Sequence, residues 1–387
     1  MAEYKMVRLG DVCEIQSGGT PSRSKTEYWK DGTIPWVKIG DFSGKYLDKT
    51  TEHITQQGLD NSSAKLFSKG TILYSIFATL GEATILNIDA TTNQAIAGIK
   101  IKDKSSVDID YFYSFLKSLK DEVNRIGRGV AQNNINLSIL KSFFIPLPPL
   151  ETQKQIAAQL DKCTAVIAKH KQMLEKYDTL IKSRFIEMFG DPVLNPKKWN
   201  IEKLKTLTSK IGSGATPKGG RESYISEGIS LVRSMNVYKG YFEYEGLAHI
   251  TEDQARELDN VTLQENDVLI NITGASVARC CILPKDVLPA RVNQHVSILR
   301  ATEKLNPVYL SNLLITDTEQ RVLLGIGGAG GATREAITKT ELETLNIPVP
   351  PLSLQNDFAS FVQQIDKSKF EIWLTLQNYG IIEKRVF

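Results

Sequence analysis

Gly325-Ile326-Gly327-Gly328-Ala329-Gly330 spells the G-x-G-x-x-G pattern that cradles a dinucleotide pyrophosphate when a strand precedes it and a helix opens on its glycines. The order is reversed here. A helix-like segment precedes the glycines and a strand-like run follows Thr333-Arg334-Glu335, so a flexible Gly-rich loop is expected. Gly40–Tyr46 resembles a phosphate loop, but it is one residue short and ends in Tyr46 where Ser or Thr must ligate magnesium. The histidines (His53, His170, His249, His295) are scattered, and neither His-x-x-x-His nor Cys-x-x-Cys spacing occurs, so no metal site is expected. Vicinal Cys280-Cys281 lies in an apolar run and reads as buried packing. Glu3–Lys5 lacks the preceding acidic residue of a nuclease cluster. The Pro148-Pro149 and Pro350-Pro351 pairs lack the Asp or Asn before, and the aromatic after, of an adenine amino-methyltransferase. Nothing in the chain is arranged to make or break bonds, and a non-catalytic role is expected.

What remains is hydrogen-bonding capacity on loops. Arg, Lys, Asn, Gln, Ser and Thr are the side chains that read base edges and hold phosphates. In the N-terminal half they gather at Thr20, Ser22, Arg23 and Lys25, at Lys38, at Asn93-Gln94, and over Arg125–Asn134 with Arg125, Arg128, Gln132 and Asn133. Counterparts follow in the same order at Lys218 and Arg221, at Arg233 and Asn236, at Asn293-Gln294, and over Gly327–Arg334 with Arg334. For any one of them ordinary surface solvation is at least as good a reading as base contact. Asn93-Gln94 and Asn293-Gln294 read equally well as buried groups tying strands together.

The elements that must position these loops are duplicated. Ile145-Pro146-Leu147-Pro148-Pro149-Leu150 returns as Ile347-Pro348-Val349-Pro350-Pro351-Leu352, Gly18-Gly19-Thr20-Pro21 as Gly214-Ala215-Thr216-Pro217, and Ile34–Lys38 as Ile229–Arg233. Residues 1–150 mix short β-rich runs (Thr71–Phe77, Ala83–Leu86, Ala95–Ile99) with a helical pattern over Asp110–Arg125. Residues 191–352 repeat the order with Asp267–Ile272, Val296–Leu299 and a helix around Val308–Leu324. After each proline exit the pattern becomes a long helix over 151–190 and 353–387. Thr152 with Gln155 fits a capping box at the first start, and Ser353 with Asn356 is a weaker cap at the second.

Both helices carry a ladder of alternating steps of four and three, the spacing of a coiled-coil seam. The first runs through Ile156, Leu160, Cys163, Ile167, His170, Leu174, Tyr177, Ile181, Arg184 and Met188. The second runs through Phe358, Val362, Ile365, Lys369, Ile372, Leu376, Tyr379, Glu383 and Val386. Pairing the two within one chain is the economical solution, and since each follows its own body an antiparallel pair would put the bodies at opposite ends. Two independent surface helices, each packed on its own domain, are the other reading. The expected fold class is α+β: two pseudo-repeated mixed α/β domains separated by two long antiparallel coiled-coil helices. His170 on the seam reads as packed or hydrogen-bonded.

Composition sets limits. The chain has 387 residues, 41% hydrophobic and 24% charged, with net charge +3 from 47 basic and 44 acidic residues. A protein that holds DNA alone usually has a larger basic excess, so a DNA reader of this charge would need a partner to supply part of the grip. No run reaches the length of a membrane span, the N-terminus has charges where a signal peptide needs an apolar core, and the four cysteines show no disulfide framework. A cytoplasmic protein with reduced thiols is expected.

The paired Gly-x-Thr-Pro segments, the two Ile-Pro-x-Pro-Pro-Leu exits, the Gln-rich helix starts (Gln153-Lys154-Gln155; Leu354-Gln355-Asn356) and Met188–Pro196 together resemble the specificity subunit of type I restriction-modification systems. The resemblance spans essentially the whole chain. It implies two target-recognition domains, each reading one part of a split, asymmetric sequence in double-stranded DNA. It also implies two helices serving as spacer and docking platform for two modification subunits, with restriction subunits joining them. S-adenosylmethionine, ATP and Mg would be bound by those partners and no cofactor by this chain. The family often has a basic residue in the loop where this chain has Arg279 in the second half but Glu82 in the first. Arg279 thus joins the DNA-binding candidates, while the first half lacks an equivalent. The rival readings are a duplicated scaffold that does not bind DNA and a nucleotide-dependent enzyme using Gly325–Gly330.

Overall fold

A computed structural model describes residues 4–127, 134–328 and 336–385, with 378–385 as helix backbone alone. It divides into two compact units, Met1–His170 with Leu374–Phe387, and Lys171–Trp373. The division cuts through two long helices, Leu150–Phe189 and Leu352–Arg385, so each unit holds one body and part of both helices.

In the first unit, Lys5–Arg8 pairs antiparallel with Phe144–Leu147, an isolated ribbon whose edge tolerates Pro146. A five-stranded sheet runs in the order Cys13–Ser17, Ile96–Ile101, Ile72–Ser75, Ala83–Leu86, Tyr46–Leu47. A three-stranded sheet orders Glu52–Ile54, Ile34–Val37 and Thr91–Thr92, the last two parallel. The helical pattern expected over Asp110–Arg125 is two helices, Ile109–Ser118 and Lys120–Gly127. The larger sheet and the first of these helices bury Ile72, Tyr74, Phe112 and Leu116 between them, all fully covered.

The second unit repeats this plan. Asn200–Lys203 pairs with Asn346–Val349 around Pro348. A four-stranded sheet orders Thr208–Ser213, Val296–Ala301, Val268–Asn271 and Cys280–Ile282, and a three-stranded one Ala248–Ile250, Ile229–Val232 and Ala290–Val292. The vicinal Cys280 and Cys281 are buried. Instead of the single helix expected around Val308–Leu324 there are two, Pro307–Leu314 and Asp317–Gly328. The expected Gly-rich loop is therefore helix as far as Gly328, and Gly330 lies outside the described residues. Burial overrides the low helix propensity of glycine here. Glu319, Leu323 and Gly327 form the covered face, and a Cβ on Gly327 would already touch Ile337 at 3.4 Å.

Equivalent bonds fix both frames. Tyr111 Oη donates to the Pro146 carbonyl and Tyr309 Oη to that of Pro348, each at 2.7 Å. The long helices start at Leu150 and Leu352, earlier than the capping patterns imply, so neither Thr152 nor Ser353 is an N-cap. A different glutamine locks each start. Buried Gln153 accepts from Asp108 N–H (2.9 Å) and donates to the carbonyls of Ser106 (2.9 Å) and Pro148 (2.8 Å). Buried Gln355 accepts from Asn306 N–H (2.8 Å) and donates to Pro350 O (2.8 Å) and Lys304 O (3.4 Å). Asn356 instead accepts from the Asn306 amide at 2.8 Å.

Within the second unit the helix segments run antiparallel. Phe185 meets Phe358 (ring centroids 5.5 Å apart), Arg184 lies 5.9 Å from the Phe361 ring, and Asp178 pairs with Lys369, so numbers fall along one helix as they rise along the other. Ile181, Phe358, Val362 and Ile372 are buried there, while Leu174, Tyr177 and Ile365 are half-buried. In the first unit Leu160 is buried, Ile167 and Leu376 are half-buried, and Ile156 packs on the core of the body beside Ala157. The Tyr379 side chain lies outside the description. His170 is half-buried with its Nδ1 covered, and that atom has no hydrogen-bond partner among the described residues. The first helix ends at Gly190 (φ 78°), whose N–H closes on Ile186 O at 2.8 Å.

Candidate nucleic-acid interface

In each body two parallel strands end side by side, and the chain leaving them carries several of the candidate side chains. In the first body Val37 stands opposite Thr92, so Lys38 and Asn93 leave neighbouring strand ends. The Gly18–Thr20 loop closes against them through Gly19 N–H to Thr92 O (2.8 Å) and Trp36 Nε1–H to Gly19 O (3.1 Å). A Cβ on Gly18 would fall 2.0 Å from Thr92 Oγ1, which explains the glycine. The second body repeats the arrangement with Val232 opposite Val292, and a Cβ on Gly214 would fall 1.8 Å from Val292 O.

The Asn-Gln pairs divide their labour. Asn93 Oδ1 accepts from Ala95 N–H and Asn293 Oδ1 from His295 N–H, both at 3.0 Å, so the asparagines shape the turn. Gln94 and Gln294 stay exposed, each accepting from a threonine hydroxyl, that of Thr20 (2.6 Å) and that of Thr216.

Around Lys38 the first body builds a charged cluster. Lys38 Nζ donates to Glu52 (2.6 Å), Arg23 pairs with the same carboxylate (2.7 Å), and the guanidinium lies 3.6 Å and 4.8 Å from the rings of Trp29 and Trp36. The Lys38 hydrogen bond, and then Arg23, hold the Glu52 carboxyl below its usual range. Arg233, in the place of Lys38, donates to Gly246 O (2.5 Å) and lies 5.2 Å from the Tyr224 ring.

These frames are matched by known proteins. The family model for the type I restriction modification DNA specificity domain fits residues 1–176 and again 196–378. The chain belongs to this family. It is 26% identical to the specificity subunit of the type I restriction enzyme MjaIX of Methanocaldococcus jannaschii, over 99% of this chain and 90% of that one. Two solved structures share the fold. One is the type I S subunit of M. genitalium (TM-score 0.57, 14% identity, 98% and 94% of the two chains covered). The other comes from a study of assembly and conformational transition in the type I R-M system (0.60, 17%, 99% and 96%). The chain is thus a DNA-recognition subunit of the type I restriction-modification class, a family that is generally non-catalytic.

In this specificity subunit the strand ends bring together Thr20, Arg23, Lys38, Asn93 and Gln94 in one body, and Thr216, Arg233, Asn293 and Gln294 in the other. Asn236 is fully buried, accepting from Arg233 N–H (3.1 Å) and donating to Glu243 O (2.9 Å). It holds a turn and is withdrawn from solvent, contrary to its reading as a DNA contact. Ser22 pairs with Ser24 and Lys25 with the Tyr28 hydroxyl, both at 2.9 Å. Lys218 and Arg221 are exposed. Arg125 sits on the helix Lys120–Gly127 with a loose contact to Glu122 (3.8 Å), not at the strand ends. Arg279 lies 4.7 Å from the Tyr238 ring and joins that loop instead. Glu82 does occupy its equivalent place, since Ser75 N–H bonds Glu82 O and Asn271 N–H bonds Arg279 O, both at 2.8 Å. Glu82 is neutralised by Lys117 and Lys120. Arg128, Gln132, Asn133 and Arg334 lie outside the described residues. Sequence reading missed Glu52, Trp29, Thr216, Thr273 and His295. Of these, Thr216, the counterpart of Thr20 in the repeat, and His295, next to Gln294, had a positional signal. Among the described residues no group of His, Cys, Asp and Glu is placed to hold a metal, and no helix is long and apolar enough to cross a membrane.

Proposed function

We propose that each body reads one half of a split, asymmetric DNA target, and that the two long helices set the unread gap and dock two modification subunits. The observation that carries this reading is the contrast between frame and edge. The two bodies keep equivalent backbone bonds, glycines, buried glutamines and the Thr–Asn–Gln set. They differ beside that set at the same strand ends, with Lys38, Ala95 and Phe77 in one and Arg233, His295 and Thr273 in the other. A duplicated frame with diverged hydrogen-bonding edges suits two half-sites of different sequence. S-adenosylmethionine, ATP and Mg belong to the modification and restriction subunits in this reading. The chain itself contributes recognition and no bond-making step. Its net charge of +3 leaves much of the phosphate contact to those partners.

Replacing residues 1–150 with the corresponding body of a subunit of different specificity, in a complex with modification subunits, tests this. Methylome sequencing is expected to show one half of the bipartite motif exchanged and the other retained. Exchange of both halves, or of neither, would sink the one-body, one-half assignment.

A further inference from the structure

The strand-end edges of the two bodies diverge at one place where the frame is held by identical bonds. Ile76 N–H donates to Ala95 O and Ile272 N–H to His295 O, both at 2.9 Å, which makes Ala95 equivalent to His295 and Phe77 to Thr273. In the first body the polar run stops at Thr20 and Gln94, and Phe77 is a 38% exposed apolar ring. In the second it continues. Thr216 donates to Gln294 Oε1, Gln294 Nε2 lies 3.2 Å from His295 Nε2, and His295 Nδ1 lies 2.6 Å from Thr273 Oγ1.

The direction of this relay follows from its first member. The Thr216 hydroxyl occupies Gln294 Oε1, so the end of the amide facing His295 is its NH2, a donor only. His295 Nε2 therefore accepts, its ring proton sits on Nδ1, and Nδ1–H donates to Thr273 Oγ1. That bond uses a lone pair of Thr273 and leaves its O–H free, with no other partner for it among the described residues. Gln294 likewise keeps its second N–H. Gln294 is exposed and Thr273 half-buried, so neither side chain is sealed in the core.

We propose that His295 is a positioning residue that clamps Gln294 and Thr273 as a two-donor reading edge, and that Thr273 is a specificity-determining residue of the second body. Two donors suit a base edge rich in acceptors, such as the N7 and O6 of guanine, and reject the amino group of cytosine. This rests on the DNA-reading function proposed above.

The test is single-molecule methylation mapping with the complete methyltransferase complex. Thr273→Val keeps the shape of the side chain and removes its hydroxyl, which is both the free donor and the acceptor of the His295 Nδ1–H bond. Discrimination is expected to relax by about 10- to 100-fold at one or two positions within one half of the motif, the other half staying intact. His295→Ala should relax the same positions, and His295→Asn, which retains a donor near the place of Nδ1 but no acceptor at that of Nε2, should restore the one read by Thr273. A structural role for His295 would lower methylation at all sites alike without changing the motif, and that result would overturn its assignment as a positioning residue. An unchanged motif at wild-type methylation for Thr273→Val, or relaxation in both halves, would overturn the assignment of Thr273. A wild-type complex that methylates no bipartite motif would defeat the DNA-reading function itself, which is a separate failure.

Discussion

Glu319 is the buried group with the clearest energetic cost. It is 3% exposed, its Oε1 has no hydrogen-bond partner among the described residues, and burial, with a smaller push from Asp191, raises its carboxyl from 4.5 to about 7. Between those values the folded state holds a proton that the unfolded state has released. Stability from this group is therefore fully present below about pH 4.5 and is lost as pH rises through about 7, by roughly 3 kcal/mol at most. Glu319→Gln should remove that slope and make the chain more stable at pH 8 by about 1–3 kcal/mol. Urea melts of the two proteins at pH 5 and pH 8 check this. A parent slope that persists in the variant would show another group to be responsible. Nothing in the sequence distinguishes Glu319 from a solvated helix glutamate, because its burial and the nearness of Asp191 arise only when distant segments come together in the fold. The same limit hid Glu52, whose partners Arg23 and Lys38 flank it only after folding.

Among the elements, the alternating apolar runs were legible in the sequence. Ala83–Leu86 is a strand over the expected span, and Val268–Asn271 and Val296–Ala301 lie where β-rich runs were read. Helix starts were not, since local capping patterns compete with tertiary bonds. Thr152 and Gln155 have the right spacing for a capping box, yet the helix begins two residues earlier because Gln153 is pulled into the body. The equivalent Gln355 offers a test of that lock. Gln355→Ala would strand the Asn306 N–H and the Pro350 carbonyl in a buried place, each worth about 1–3 kcal/mol. A loss of about 2–4 kcal/mol in the unfolding free energy is expected, from denaturant melts of the intact chain. By contrast, exchanging the exposed Asp178–Lys369 pair for neutral residues should cost under about 1 kcal/mol. Comparable losses at the two places would mean that the proline exit is not the fixed point of the helix.

At the scale of the molecule, the repeat made the architecture readable because it is encoded in glycines and prolines that a backbone demands, whereas base choice lies in loop side chains whose partners only the fold reveals. The paired helices then carry the spacing prediction. A seven-residue insertion in one helix alone would leave an unpaired turn, so the change must be made in both. One heptad added to each preserves the seam's alternation of four and three, and lengthens the pair by about 10 Å at about 1.5 Å per residue. At about 3.4 Å per base pair that is about three base pairs of unread gap. Three base pairs also turn the second half-site by roughly a third of a helical turn, since a full turn takes about 10 base pairs. The longer complex should therefore methylate fewer copies of its site than the parent, while both read halves keep their sequence. Methylome sequencing with the doubly extended chain and its modification subunits measures gap and efficiency together. A gap of the original length, with both halves still methylated, would mean that something other than these helices sets the distance.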